Sequence, residues 1–255
     1  MKKLVLASVL ACIATGAVAK DWTVIRFGVN PSYAPFESKA ANGQLVGFDI
    51  DLGNALCERL KARCVWVENA WDGIIPALRA KKFDAILSSM AVTEKRLQQI
   101  SFSDKIYNVP PRLVARKGSA LQPSLDTLRG KRIGVEQGST AESYAKAYWE
   151  PQGVTVTSYQ NQDQVYQDLT SGRLDAAFQS SVQADLGFLR TAAGRDYAFA
   201  GKGVTDVKTL GVGAAIGLRK EDGNLAVQLN RALAELHEDG TYRRLASKYF
   251  SFDIY

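Results

Sequence analysis

The residues best suited to recognition chemistry follow directly on apolar runs. The run 84–87 gives way to Ser88 and Ser89, and Arg96 comes seven residues later on a short helix. A guanidinium presents a planar fork of donors that matches a carboxylate, which a lysine ammonium cannot copy. The run 133–135 ends in Glu136-Gln137-Gly138-Ser139-Thr140 at the head of another helix. There a glycine lets the backbone come close, and free helix-terminal amides suit an anion. A third run, 174–178, ends in Gln179-Ser180-Ser181. Two rings complete the set: Tyr33, held between Pro31 and Pro35 in a stiff loop, and Trp71 at a helix start. Either ring could stack on a flat or aliphatic solute. Plainer roles compete with each: an ion pair for Arg96, a helix cap for Ser139 and Thr140, core packing for the rings.

Catalytic signatures are missing from the sequence. His237, the single histidine, lies between Leu236 and Glu238 on an amphipathic C-terminal helix, away from every strand end. There is no nucleophile elbow, cysteine–histidine pair, zinc spacing or phosphate-binding loop. Glu136, if buried in a dry cleft, is the one acid–base candidate. Binding without turnover is expected, with no metal and no cofactor.

Strand-like and helical runs alternate: strand 24–29, helix 49–61, strand 64–67, helix 73–80, strand 84–87. The series repeats as strand 133–135, helix 140–149, strand 154–159, helix 162–170 and strand 174–178. Such alternation predicts an α/β fold of mainly parallel sheets flanked by helices. The segments 78–85 and 169–176, which are 91 residues apart, read alike: a helix end, a basic turn, then Phe83-Asp84-Ala85 or Leu174-Asp175-Ala176. Two lobes of similar construction are predicted, with ligand at the strand ends between them. The extended stretch 106–117 and the glycine-rich 201–213 read as crossings. Lobe 1 then comprises 20–107 and 214–255, lobe 2 comprises 112–204, and the hinge 108–111 and 205–213.

Lys2 and Lys3, an apolar run 4–13 and the ending Ala17-Val18-Ala19 form a signal peptide cleaved after residue 19. Cys12 could mark a lipoprotein site instead, but cutting there would leave apolar residues on the mature chain. Loss of the two leader lysines lowers the formal charge from +6 to +4. Basic residues are scattered among acids, which argues against nucleic acid as a partner. Cys57 and Cys64 remain. In an exported chain they suggest a disulfide, with free thiols as the alternative.

Several runs together resemble a known family: Tyr33-Ala-Pro-Phe36, Gly47 to Cys57, Ile75-Pro76, Lys82 to Ser89, Gly138-Ser-Thr140, Gly172 to Ala177 and Tyr197 to Gly201. They are similar to the type 3 periplasmic solute-binding proteins for lysine/arginine/ornithine and histidine. The resemblance implies a two-lobed hinge-closing fold, the Cys57–Cys64 disulfide, and a monomer that docks on an inner-membrane ABC permease. It places a ring clamp at Tyr33 and Trp71, and a carboxylate grip at Arg96, the Ala91 backbone and Thr140, beside Ser139.

Departures from that pattern carry more information. Ser180 stands where these binders hold the α-ammonium with an aspartate, Ala91 where they use a hydroxyl, and Asn30 where an aspartate meets the distal cation. Glu136 replaces a customary apolar residue. Octopine-binding relatives look similar at these points, so the expected ligand is a basic or polar amino acid modified at its α-nitrogen. The alternative is an ordinary cationic amino acid held through Glu136. A dehydratase on the same fold is the remote third.

Overall fold

The computed structural model describes residues 22–255. The signal peptide 1–19, Cys12 and the first two residues of the expected lobe 1 lie outside the described residues.

The strands are β1 (Val24–Val29), β2 (Ser32–Tyr33), β3 (Glu37–Lys39), β4 (Leu45–Val46), β5 (Arg63–Glu68), β6 (Ala85–Ile86) and β7 (Ser101–Tyr107). They continue as β8 (Pro111–Arg116), β9 (Arg132–Glu136), β10 (Thr155–Tyr159), β11 (Ala176–Ser180), β12 (Tyr197–Ala200) and β13 (Ala214–Leu218). Two five-stranded sheets result, ordered β5-β1-β6-β13-β7 and β10-β9-β11-β8-β12. Strands β2, β3 and β4 form a separate small sheet.

Both large sheets share one plan. A central strand, β1 or β9, is flanked by two parallel neighbours. The remaining two pairings are antiparallel. The sheets are therefore half antiparallel, more than alternation predicts, because the extended stretch 106–117 and the return from 213 supply strands of their own. Pro111 begins β8, where its missing N–H costs the ladder nothing.

The repeat seen in the sequence is a repeated piece of structure. Arg26 on β1 and Arg132 on β9 each grip an aspartate, Asp84 and Asp175, through backbone N–H, Nε and Nη2 at 2.8–3.1 Å. Gly28 and Gly134 match as well. A Cβ on either would come within 2.4 Å of the residue before the aspartate, Phe83 or Leu174.

Phe27, Phe36, Phe48 and Tyr107 form the first core beside the helix Gly223–Glu238. That helix buries Leu225, Leu229, Ala232, Leu233 and Leu236, the spacing of one apolar face. Cys57 at the end of the helix Phe48–Arg59 and Cys64 on β5 form a disulfide, which excludes free thiols. The second core packs Trp149 against Phe178 at 4.7 Å between ring centroids. The helix expected over 140–149 stops as an α-helix at Tyr144 and continues as a π-helix, Ala145–Trp149. No helix among the described residues is long and apolar enough to cross a membrane.

Candidate ligand-binding cavity

The ends of β1, β6, β9 and β11 converge on two adjoining cavities. The smaller, about 50 Å³, is lined by Asn30, Glu37, Trp71, Ser88 and Arg96. The larger, about 170 Å³, is lined by Ser180, Gln162, Gln179 and Gln183 among others. Tyr33, Ser89, Ala91, Glu136, Ser139 and Thr140 line both. All eleven residues singled out in the sequence thus meet around one space.

Arg96 is 8% exposed. Its Nη1 donates to the Ala91 carbonyl at 2.9 Å and its Nη2 crosses to the Gly138 carbonyl at 3.1 Å. The guanidinium lies 5.2 Å from the centre of the Trp71 ring. Burial lowers its pKa to about 10, so it stays charged at neutral pH. Among the described residues no carboxylate pairs with it, which rules out the surface ion pair as its role.

Glu136 is 7% exposed and makes no side-chain hydrogen bond or ion pair among the described residues. Burial first, then repulsion from Asp163, pushes its pKa up to about 8. Glu136 is therefore protonated at neutral pH. Tyr33 is likewise pushed up, by burial and then by Glu136.

Two expectations need correction. The strand expected over 84–87 is shortened to Ala85–Ile86, and beyond it Ser89 takes a left-handed backbone with φ 51°. The helix terminus after Glu136 also has fewer free amides than its sequence suggests. Gly138 N–H donates to Glu142 Oε2 at 2.6 Å, and Ser139 Oγ caps the helix by accepting from Glu142 N–H at 3.0 Å. Asn30 is partly committed too, its Oδ1 accepting from the Ser32 amide at 3.2 Å.

Sequence reasoning missed a buried acid pair under the smaller cavity. Glu37 accepts from Ser88 Oγ at 2.8 Å and Ser89 Oγ at 3.3 Å. Asp49 accepts from the Ser89 amide at 2.8 Å and from the Tyr107 hydroxyl at 3.0 Å. Burial, and for Glu37 the neighbouring Asp49, raise both: Asp49 to about 7, Glu37 well above the usual carboxylate range. Tyr107 ends β7, so Ser89 ties the cavity wall to the end of that strand.

Residues 25–252 match the family model of bacterial extracellular solute-binding proteins, family 3. The chain belongs to that family. It is 53% identical to the histidine-binding periplasmic protein of Escherichia coli (strain K12) over 258 residues, covering 100% of this chain and 99% of the relative. It is 52% identical to the lysine/arginine/ornithine-binding periplasmic protein of the same strain, with the same coverage. A solved ancestral arginine-binding protein bound to arginine superposes with a TM-score of 0.83 at 33% identity, covering 90% of this chain and 99% of that one. As a family 3 member the chain is a periplasmic binding protein and not an enzyme. Its fold is the two-lobed α/β architecture that the sequence resemblance implied.

Proposed function

We propose that the protein is the ligand-binding component of an amino-acid ABC importer, taking a cationic amino acid of the histidine, lysine, arginine or ornithine kind. The observation that carries this reading is Arg96: a buried guanidinium whose only hydrogen bonds among the described residues go to two carbonyls, those of Ala91 and Gly138. A buried cation without a counter-ion is costly, and a ligand carboxylate supplies one. Glu136 and Glu37 line the same space and supply acids for a cationic side chain. The names of the relatives support the same class. Ligand bridging the lobes would favour the closed form, which an inner-membrane permease reads on a monomer. A thermal-shift screen tests this, since binding only the native state raises the melting point. Histidine, lysine, arginine and ornithine should raise it; no shift with any of them overturns the assignment.

A second reading rests on Ser180 and Ala91. Neither offers the carboxylate that a free α-ammonium needs, and leaving such a buried charge unpaired costs about 3–5 kcal/mol. An opine-like derivative, whose α-nitrogen stays charged but carries a second carboxylate of its own, would bring the missing partner with it. A shift confined to α-N-substituted compounds would favour it over the first reading.

A further inference from the structure

Three glutamines from three elements line the larger cavity: Gln179 near the end of β11, Gln162 at the start of the helix Gln162–Thr170, and Gln183 on the helix Ser181–Ala184. They are 3%, 1% and 2% exposed, so their amides cannot turn to water. Four polar atoms here lack a partner: Nε2 of Gln162, Nε2 of Gln179, Oε1 of Gln183 and Oγ of Ser180. The Tyr166 hydroxyl donates to Gln179 Oε1 at 3.0 Å, and the other end of that amide meets no partner among the described residues. Gln162 lies beside that hydroxyl, and Ser180 beside Tyr33, without either completing a hydrogen bond of ordinary geometry. Buried groups of this kind are rarely left unpaired unless something else satisfies them.

The set of atoms specifies the chemistry. Two amide donors, one amide acceptor and a hydroxyl call for a group that both accepts and donates. A second carboxylate only accepts, and no arginine, lysine or histidine lines this cavity to balance it; Glu136 and Asp206 are its charged neighbours. An ammonium only donates and would leave both amide N–H₂ groups unmet. An uncharged amide does both.

We propose that the larger cavity holds an acyl-amide group on the ligand's α-nitrogen, making an Nα-acylated amino acid the preferred ligand. The inference rests on the carboxylate grip at Arg96 and narrows the α-N-substituted reading. It also accounts for Ser180 and Ala91 together. An acylated nitrogen carries no charge and needs no acid beside it, whereas the nitrogen of an opine-like derivative stays basic.

Calorimetry on ligand-free protein with arginine, Nα-acetylarginine, an Nα-carboxyalkyl arginine and Nα-acetylargininamide tests it. Nα-acetylarginine should bind about tenfold more tightly than arginine or the carboxyalkyl compound, and Gln179→Met or Gln183→Leu should erase most of that gain. Arginine or the carboxyalkyl compound binding at least as tightly overturns the proposal, as do variants that weaken every ligand equally. Nα-acetylargininamide has no carboxylate; if it matches Nα-acetylarginine, the Arg96 grip itself fails and takes the proposal with it. Should the variants not fold, the order of affinities in the unaltered protein decides.

Discussion

Arg96 Nη2 and the carbonyl oxygen of Gly138 stand 3.1 Å apart, the first on the short helix Glu94–Leu97 between β6 and β7 of one large sheet and the second just after β9 of the other. The residue proposed to meet a ligand carboxylate thus also links chain from the two large sheets across the cavity. A carbonyl offers a partial charge where a carboxylate offers a full one, so ligand would replace a weak partner with a strong one.

Arg96→Ala should therefore abolish binding of any carboxylate-bearing ligand. Removing one partner of a buried charge pair costs about 2–5 kcal/mol, or roughly 30-fold to several thousand-fold in affinity. Arg96→Lys should recover little of this, because an ammonium cannot form the paired bonds. Calorimetry with arginine measures both, and an unchanged Kd for Arg96→Ala would remove this residue from the site.

The buried acids predict how stability responds to pH. Asp49, Glu37 and Glu136 all have folded pKa values above their unfolded ones. Their contribution is fully present below about pH 4 and lost as pH rises toward the folded values. Melting temperature of the ligand-free protein should fall as pH rises from 5 through about 8, where Glu136 titrates. Glu136→Gln should flatten the upper part of that decline and leave the part due to Asp49, which titrates at about 7. A melting temperature that climbs across this range would contradict the burial of these groups.

The paired aspartates of the repeat should differ sharply in cost. Asp84 is buried and meets both Arg26 and the buried Arg219, whereas Asp175 meets the half-exposed Arg132. Asp84→Ala strips the buried Arg219 of one of its two carboxylates, Asp222 remaining, and removes three bonds to Arg26, so it should cost about 3 kcal/mol. Asp175→Ala breaks a wet ion pair and should cost about 0–1 kcal/mol plus its bond to the Arg132 amide. Urea unfolding of the two variants checks the contrast, and equal losses would refute it.

Residues that end apolar strands were legible because the change from apolar to polar is itself the signal: Ser88, Glu136 and Ser180 all announce themselves this way. Gln162 and Gln183 did not, since a glutamine near the start of a helix ordinarily faces water. What buries them is packing that depends on the other elements around the cavity. Glu37 and Asp49 were hidden for a related reason. Glu37 follows Pro35-Phe36 in a segment that reads as a loop, yet β3 carries it inward, and Asp49 looks like an ordinary acid in a helix's first turn. The π-helical turn at 145–149 has no marker in residue type, because it reflects how Trp149 reaches Phe178. Of the antiparallel strands only β8 comes from chain that reads as a crossing; β7, β12 and β13 lie in stretches where the alternation of apolar runs marks no strand.

Ser180→Asp would restore an acid where the α-nitrogen is expected. The serine is 9% exposed and, among the described residues, its hydroxyl has only a loose contact with Tyr33, so an aspartate there would enter the cavity with little competing for it. Its nearest charged rival, Glu136, is protonated below about pH 8 and would repel it only weakly at neutral pH. Free arginine or lysine should gain at least about tenfold in affinity from the new pair, while an Nα-acylated ligand, having no charge to offer, should lose. Calorimetry of both ligands against both proteins gives the answer directly. If free arginine gains nothing, its ammonium does not lie beside Ser180, and the missing acid cannot be what sets this protein's choice of ligand.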